Sequence, residues 1–240
     1  MKNNKWMFGV AALLSGLLGS AQALPVVRTD KLSLDVHGRG QMIGVGQVVP
    51  DAVRDNARIY LFLKQARLGF KGNYEEIKFE TQLAFGGENA NGANTDLGLL
   101  DFVADIPIKP LGESTVLKIG QFRVPYGREG LTDRGFMNWG ERSLMSLAVY
   151  QGRDYGVALM KSNGPWVGTI GTWSSGGRNV PQRYLPEVLG VPEFVARVGY
   201  NDGVDEDIYH VAGTDRELGR TTKAAYLNAL YQQDTLIGHG

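Results

Sequence analysis

The chain has 240 residues, with 25 Lys and Arg against 25 Asp and Glu, 33 Gly, three His and no Cys. The missing cysteine excludes a disulfide scaffold, a thiolate metal site, an iron–sulfur cluster and a cysteine nucleophile, and the zero net charge argues against a protein that grips nucleic-acid phosphates. Glycine is at about twice its roughly 7% average without any G-X-Y period, which fits a chain of many strands and turns.

In chain order, Lys2 and Lys5 precede the apolar run from Trp6 to Leu18, and Ala21-Gln22-Ala23 then offers small residues at a cleavage site. This layout predicts a secretory signal peptide over residues 1–23, with export through the Sec route and a mature portion from 24 to 240. The apolar run is too short to cross a hydrocarbon layer of roughly 30 Å as an uncleaved helix.

Period-2 alternation follows. In 32–47, Leu32, Leu34, Val36 and Met42 alternate with Ser33, Asp35, His37, Arg39 and Gln41. In 60–71, Phe62, Ala66, Leu68 and Phe70 oppose Gln65, Arg67 and Lys71, and in 76–85 Ile77, Phe79, Leu83 and Phe85 oppose Lys78, Glu80 and Gln82. Segments 97–106, 115–124, 154–160, 166–173 and 194–200 read as further strands, and 221–232 as a ninth. The expected fold class is all-β and antiparallel.

The connections alternate in length. Gly72-Asn73-Tyr74 and Ser162-Asn163-Gly164-Pro165 read as tight turns, whereas 48–58, 86–96, 125–153 and 174–193 are long. Short turns at one end and long loops at the other describe a transmembrane β-barrel, whose tilted strands need about ten residues to cross. Aromatic residues near strand ends (Tyr60, Phe70, Phe85, Tyr126, Trp166, Trp173, Tyr200) suit interfacial girdles. A soluble β-sandwich shares the alternation and stays open as the alternative. The charges on the polar face and the loop-length alternation favour the barrel.

Four segments, in this order and spacing, resemble the phosphate-selective porin O and P family of Gram-negative outer membranes. They are Ala66-Arg67-Leu68-Gly69-Phe70-Lys71-Gly72, Ile119-Gly120-Gln121-Phe122-Arg123-Val124-Pro125-Tyr126-Gly127, Glu141-Arg142-Ser143-Leu144 and Gly152-Arg153-Asp154-Tyr155-Gly156-Val157. The resemblance covers about residues 32 to 201, and the second and fourth segments are its most specific. It implies a sixteen-stranded outer-membrane barrel, usually trimeric, through which small hydrophilic solutes, often anions, diffuse passively. The implied partners are outer-membrane lipid, small solutes and two further copies of the chain, with no cofactor and no nucleic acid.

The resemblance also implies that the loop after the fifth strand, 125–153, folds inward and narrows the channel. Pro125 and Gly127 give it a fixed bend and a flexible joint. Within it Arg128, Arg134 and Arg142 stand against Glu129, Asp133 and Glu141, and Arg153 closes it. These charges either set a transverse field or brace the loop. Alternation places Arg39, Arg67, Lys78, Lys118 and Arg197 on the polar face with Asp35, Glu80, Asp101 and Asp105, a balance that supports at most a mild anion preference. A carboxylate on the next strand is the alternative partner for each of these bases. A register break near Gly120 would move Arg123 to the other side.

Other chemistry is not indicated. His37, His210 and His239 have no metal-ligand spacing, no nucleophile elbow, P-loop or dinucleotide fingerprint occurs, and neither a catalytic residue nor a metal site is predicted. Asp202, Asp205, Glu206 and Asp207 lack calcium-loop spacing and read as a solvated turn. Eight strands over 32–201 take about 21 residues each, so sixteen would need about 340. The expectation is therefore the N-terminal portion of a porin barrel, about eight to ten strands. A small plugged barrel or a soluble β-sheet module without pore activity is the other functional reading.

Overall fold

The computed structural model describes residues 13–16, 23–50, 55–85, 97–131, 143–144, 149, 152–174, 192–202 and 223–232. Among these described residues, eleven strands form one antiparallel sheet. They are β1 (Leu13–Gly16), β2 (Leu24–Arg28), β3 (Leu32–Pro50), β4 (Asp55–Tyr74), β5 (Ile77–Phe85), β6 (Leu97–Pro107), β7 (Thr115–Arg123), β8 (Arg153–Asn163), β9 (Trp166–Trp173), β10 (Glu193–Asn201) and β11 (Ala224–Tyr231). The sheet runs in the open order β1-β3-β4-β5-β6-β7-β8-β9-β10-β11, and β2 also pairs with β3. All nine strands expected from the alternation are present. β1 and β2 are additional, and β1 lies inside the segment read as a signal peptide.

Two boundaries differ from expectation. The long link at 48–58 contracts to 51–54, because β3 and β4 continue into it from both sides. The turn placed at Gly72–Tyr74 falls instead at Glu75–Glu76, where Glu75 takes a positive φ of 53°. Gly72 is strand, not turn: a Cβ there would lie 2.3 Å from the Ser33 carbonyl oxygen, so glycine serves the close approach of two strands. Asn73 hydrogen-bonds Ser33, and the Glu75 N–H donates to the Lys31 carbonyl at 2.7 Å, which carries the strand past the glycine.

The chain divides into two compact units: Met1–Leu24 with Val36–Gly69 and Leu83–Gly98, and Pro25–Asp35 with Phe70–Gln82 and Leu99–Gly240. In the first, β1 lies antiparallel to β3 from Leu13↔Val45 to Gly16↔Met42. There a Cβ on Gly69 would meet the His37 ring at 2.3 Å.

The second unit holds β6 to β11 and has two unlike faces. On one, Ile119, Val157, Ile170, Val198 and Leu227 are exposed, with Trp166 towards the turn end and Phe102, Tyr155, Phe194 and Tyr231 towards the loop end. The register sets these side by side: Ile119 opposite Val157, Val198 opposite Leu227, Phe194 opposite Tyr231. Trp166 and Tyr200 meet edge to face with centroids 5.3 Å apart. Six residues, about 20 Å of strand, separate Trp166 from the row of Phe194. An apolar belt between aromatic rows is what a lipid-facing sheet presents.

The other face is covered. Val103, Phe122, Ala158, Met160, Trp173 and Val195 form a buried cluster with Val124 and Leu131. Trp173 is 1% exposed and stands edge to face with Phe122 at 5.6 Å. Two glycines make its slot: a Cβ on Gly156 would lie 2.4 Å from the indole, and one on Gly171 2.8 Å from it.

The pairing of β7 runs without interruption through Gly120, which lies opposite Val103 on one side and Gly156 on the other. The register break considered near Gly120 does not occur. The residue instead takes φ of +131°, and a Cβ would fall 2.0 Å from the Phe102 carbonyl oxygen. Replacing Gly120 by Ala should cost about 1–3 kcal/mol through the backbone alone. A urea midpoint for the detergent-folded protein equal to that of the wild type would contradict this account.

Candidate pore constriction at the loop root

After β7 the chain passes Val124, Pro125 and Tyr126 and enters the short helix α1 (Arg128–Leu131). Pro125 is fully buried, and Gly127 takes φ of +75°, a conformation that favours glycine. Leu131, 1% exposed, sits in the apolar cluster of the covered face. The chain following the fifth of the expected strands therefore turns onto that face.

Two arginines hold this root. Arg123 Nη1 donates to the Leu131 carbonyl at 2.7 Å, and Arg197 Nη1 in β10 donates to the Gly127 carbonyl at 3.2 Å. The Arg197 guanidinium also stacks on the Tyr226 ring of β11, 4.0 Å from its centroid. Each orphan carbonyl of a tight turn thus receives a charged donor, the stronger kind of hydrogen bond. The return end is fixed too, since the Val124 N–H donates to the Gly152 carbonyl at 3.1 Å.

Beside the root, Arg153 makes a bidentate pair with Asp101: Nε to Oδ1 at 2.9 Å and Nη2 to Oδ2 at 3.0 Å, with only 4% and 16% of the side chains exposed. Gln121, completely buried, donates from Nε2 to the Leu99 and Leu100 carbonyls, both at 2.9 Å. Asp154 accepts from the Tyr155 N–H at 2.7 Å and the Ser174 hydroxyl at 2.5 Å. At this end of β7 and β8 successive residues are buried on both sides of the strand, as with Gln121, Phe122 and Arg123, or Arg153 and Asp154.

The predicted charges divide. Lys118 lies directly opposite Asp105 and pairs with it at 3.2 Å, with Phe122 beneath its ammonium. Glu80 pairs with Lys71 at 3.2 Å, and Asp35 with Arg28. All four acids of the polar set thus sit in ion pairs; the alternation places Lys71 and Lys118 on the polar face, but not the other two bases, Arg28 and Arg153. Arg67 is buried, Arg39 half-buried and Lys78 exposed. Arg128 and Glu129 open α1, while Asp133, Arg134, Glu141 and Arg142 lie outside the described residues. Of the acidic patch after β10 only Asp202 is described, with its carboxylate accepting from the Lys223 N–H at 2.7 Å. At the turn end the Lys109 ammonium sits 2.5 Å from Glu76, a contact that holds it above the usual lysine range.

An antiparallel sheet with a lipid-type apolar face and a loop root seated on its opposite face has the features of a wall of the porin class. The family model described as phosphate-selective porin O and P matches residues 38–191, and the chain belongs to that family. No curated protein and no solved structure matches the chain. The two most specific family segments now have physical roles. Residues 119–127 supply the Gly120 approach, the Gln121 clamp, the Arg123 anchor and the loop entry. Residues 152–157 supply the Arg153 pair, the Asp154 cap and the Gly156 slot.

Proposed function

We propose that the chain forms the wall of an outer-membrane porin through which small hydrophilic solutes diffuse passively, narrowed by the loop 125–153. The observation that carries this reading is the loop root, held on the covered face by Arg123 and Arg197 opposite an apolar open face. On this reading residues 1–23 are an export signal, and cleavage removes β1 and leaves β2 beside β3. Lipid meets the open face, and three copies assemble as in the family. The lumen bases are Arg39, Arg67, Lys78, Lys118, Arg153 and Arg197, and the eyelet charges are Arg128, Arg134, Arg142, Glu129 and Asp133. The six lumen bases outnumber the four acids Asp35, Glu80, Asp101 and Asp105, each of which sits in an ion pair, and this excess supports a mild preference for anions such as phosphate.

The apolar cluster under the loop root favours a second reading, a plugged sheet that does not conduct. Reconstitution of the full chain in planar bilayers separates the two. Stepwise currents are expected, with a reversal potential in a KCl gradient displaced towards chloride. Replacement of Arg128 and Arg134 by Ala should move that potential towards zero. A folded, inserted chain that gives no current steps would eliminate the pore.

A further inference from the structure

Glu193, at the loop end of β10, is 3% exposed, and its Oε1 has no hydrogen-bond partner among the described residues. It stands directly across from Trp173 in the β9–β10 register, and Trp173 in turn stands across from Gly156 of β8, two residues from Asp154. Trp173 Nε1–H is likewise buried and has no described acceptor. Asp154 is 2% exposed, and its charge repels that of Glu193. Two buried carboxyl groups therefore flank one indole on the covered face.

A buried carboxylate without compensation costs several kcal/mol. Asp154 draws compensation from the Tyr155 N–H and the Ser174 hydroxyl. The arginines of the same region bond elsewhere: Arg153 to Asp101, Arg123 to the Leu131 carbonyl, Arg197 to the Gly127 carbonyl and the Tyr226 ring. A proton would neutralise one carboxyl and leave the other as it is. A cation between them would neutralise both and would find an all-oxygen donor set in Asp154, Glu193 and Ser174 Oγ. Such a set suits a hard divalent ion rather than a soft one. The indole N–H can then donate to a carboxylate or to a water on the ion.

We propose that Asp154, Glu193 and the Ser174 hydroxyl hold a hard divalent cation of the Ca2+ type beside the Trp173 indole, tying β8 to β10 next to the loop root. This site is independent of whether the chain conducts, because binding is read on the detergent-folded protein without any current.

Tb3+ is the probe, since an adjacent indole sensitises its emission. Titrated under indole excitation, the full chain should give Tb3+ emission that Ca2+ displaces. Trp173→Phe should abolish that emission while calorimetry still records Ca2+ uptake. Glu193→Gln should weaken Tb3+ binding by about tenfold or more. Emission from Glu193→Gln equal to that of the wild type overturns the site, as does emission that survives Trp173→Phe. Should Glu193→Gln fail to fold, calorimetry of the wild-type chain with Ca2+ alone decides the matter, because absence of a binding isotherm also overturns it.

Discussion

Replacing Asp101 by Ala should destabilise the sheet by about 3–5 kcal/mol, because the loss leaves the Arg153 guanidinium buried without its carboxylate. Arg153 presents only 4% of its side chain to solvent and meets Asp101 through two hydrogen bonds, so water cannot take the place of the acid without opening the β7–β8 end. Asp101→Asn should fall between, since an amide oxygen still accepts one bond but carries no charge. The informative comparison is the pair Asp101→Leu with Arg153→Met. A buried ion pair exchanged for apolar groups of similar volume is often nearly neutral, so the double variant should lie closer to the wild type than Asp101→Ala does. Equilibrium unfolding in urea, with strand content followed by circular dichroism, measures these variants together with Asp101→Leu and Arg153→Met singly. Additive losses in the double variant would mean that the two side chains act separately.

The strands were legible because one face of the sheet is apolar and exposed while the other intersperses charges and glycines with its buried apolar cluster, and this difference writes a period of two into the chain. The same signal failed where the faces cease to differ. At the ends of β7 and β8 both sides are buried, and there alternation said nothing of what Gln121, Arg123 and Arg153 do. Strand ends in 48–58 were lost for a related reason: Val48, Val49 and Pro50 at the end of β3, and Asp55, Asn56, Ala57 and Arg58 at the start of β4, carry no period of two. Loop entry was readable from Pro125 and Gly127, whose backbone restrictions are local. The partners of the arginines were not, because Arg197 meets a carbonyl 70 residues away and Arg153 a carboxylate 52 residues away. The slot for Trp173 needs the register itself, since Gly156 and Gly171 belong to different strands and only pairing brings them under one ring. Lys118 and Asp105 were both placed on the polar face, yet their direct opposition follows from the β6–β7 register alone.

Arg197→Met should loosen the loop root while keeping the β10 side chain long and packed. The substitution removes a charged hydrogen bond to Gly127, worth about 1.5–3 kcal/mol, and a cation–ring contact to Tyr226, worth about 0.5–2 kcal/mol when desolvated. A combined loss of about 2–5 kcal/mol raises the share of molecules with a detached root by roughly two to three orders of magnitude. Arg123 remains to hold Leu131, so the fold should survive. On the porin reading, a detached root widens the constriction. The single-channel current of Arg197→Met should therefore be larger and noisier than that of the wild type, and protease should cut within 125–153 sooner. Arg197→Lys distinguishes anchoring from charge: a lysine keeps the positive charge but loses the planar fork that stacks on Tyr226, so it should resemble Met in noise while retaining the wild-type ion preference. Arg197→Met with unchanged conductance and unchanged protease resistance would show that the root stays seated through Leu131 and Arg123 alone, and the anchoring role of Arg197 would be wrong.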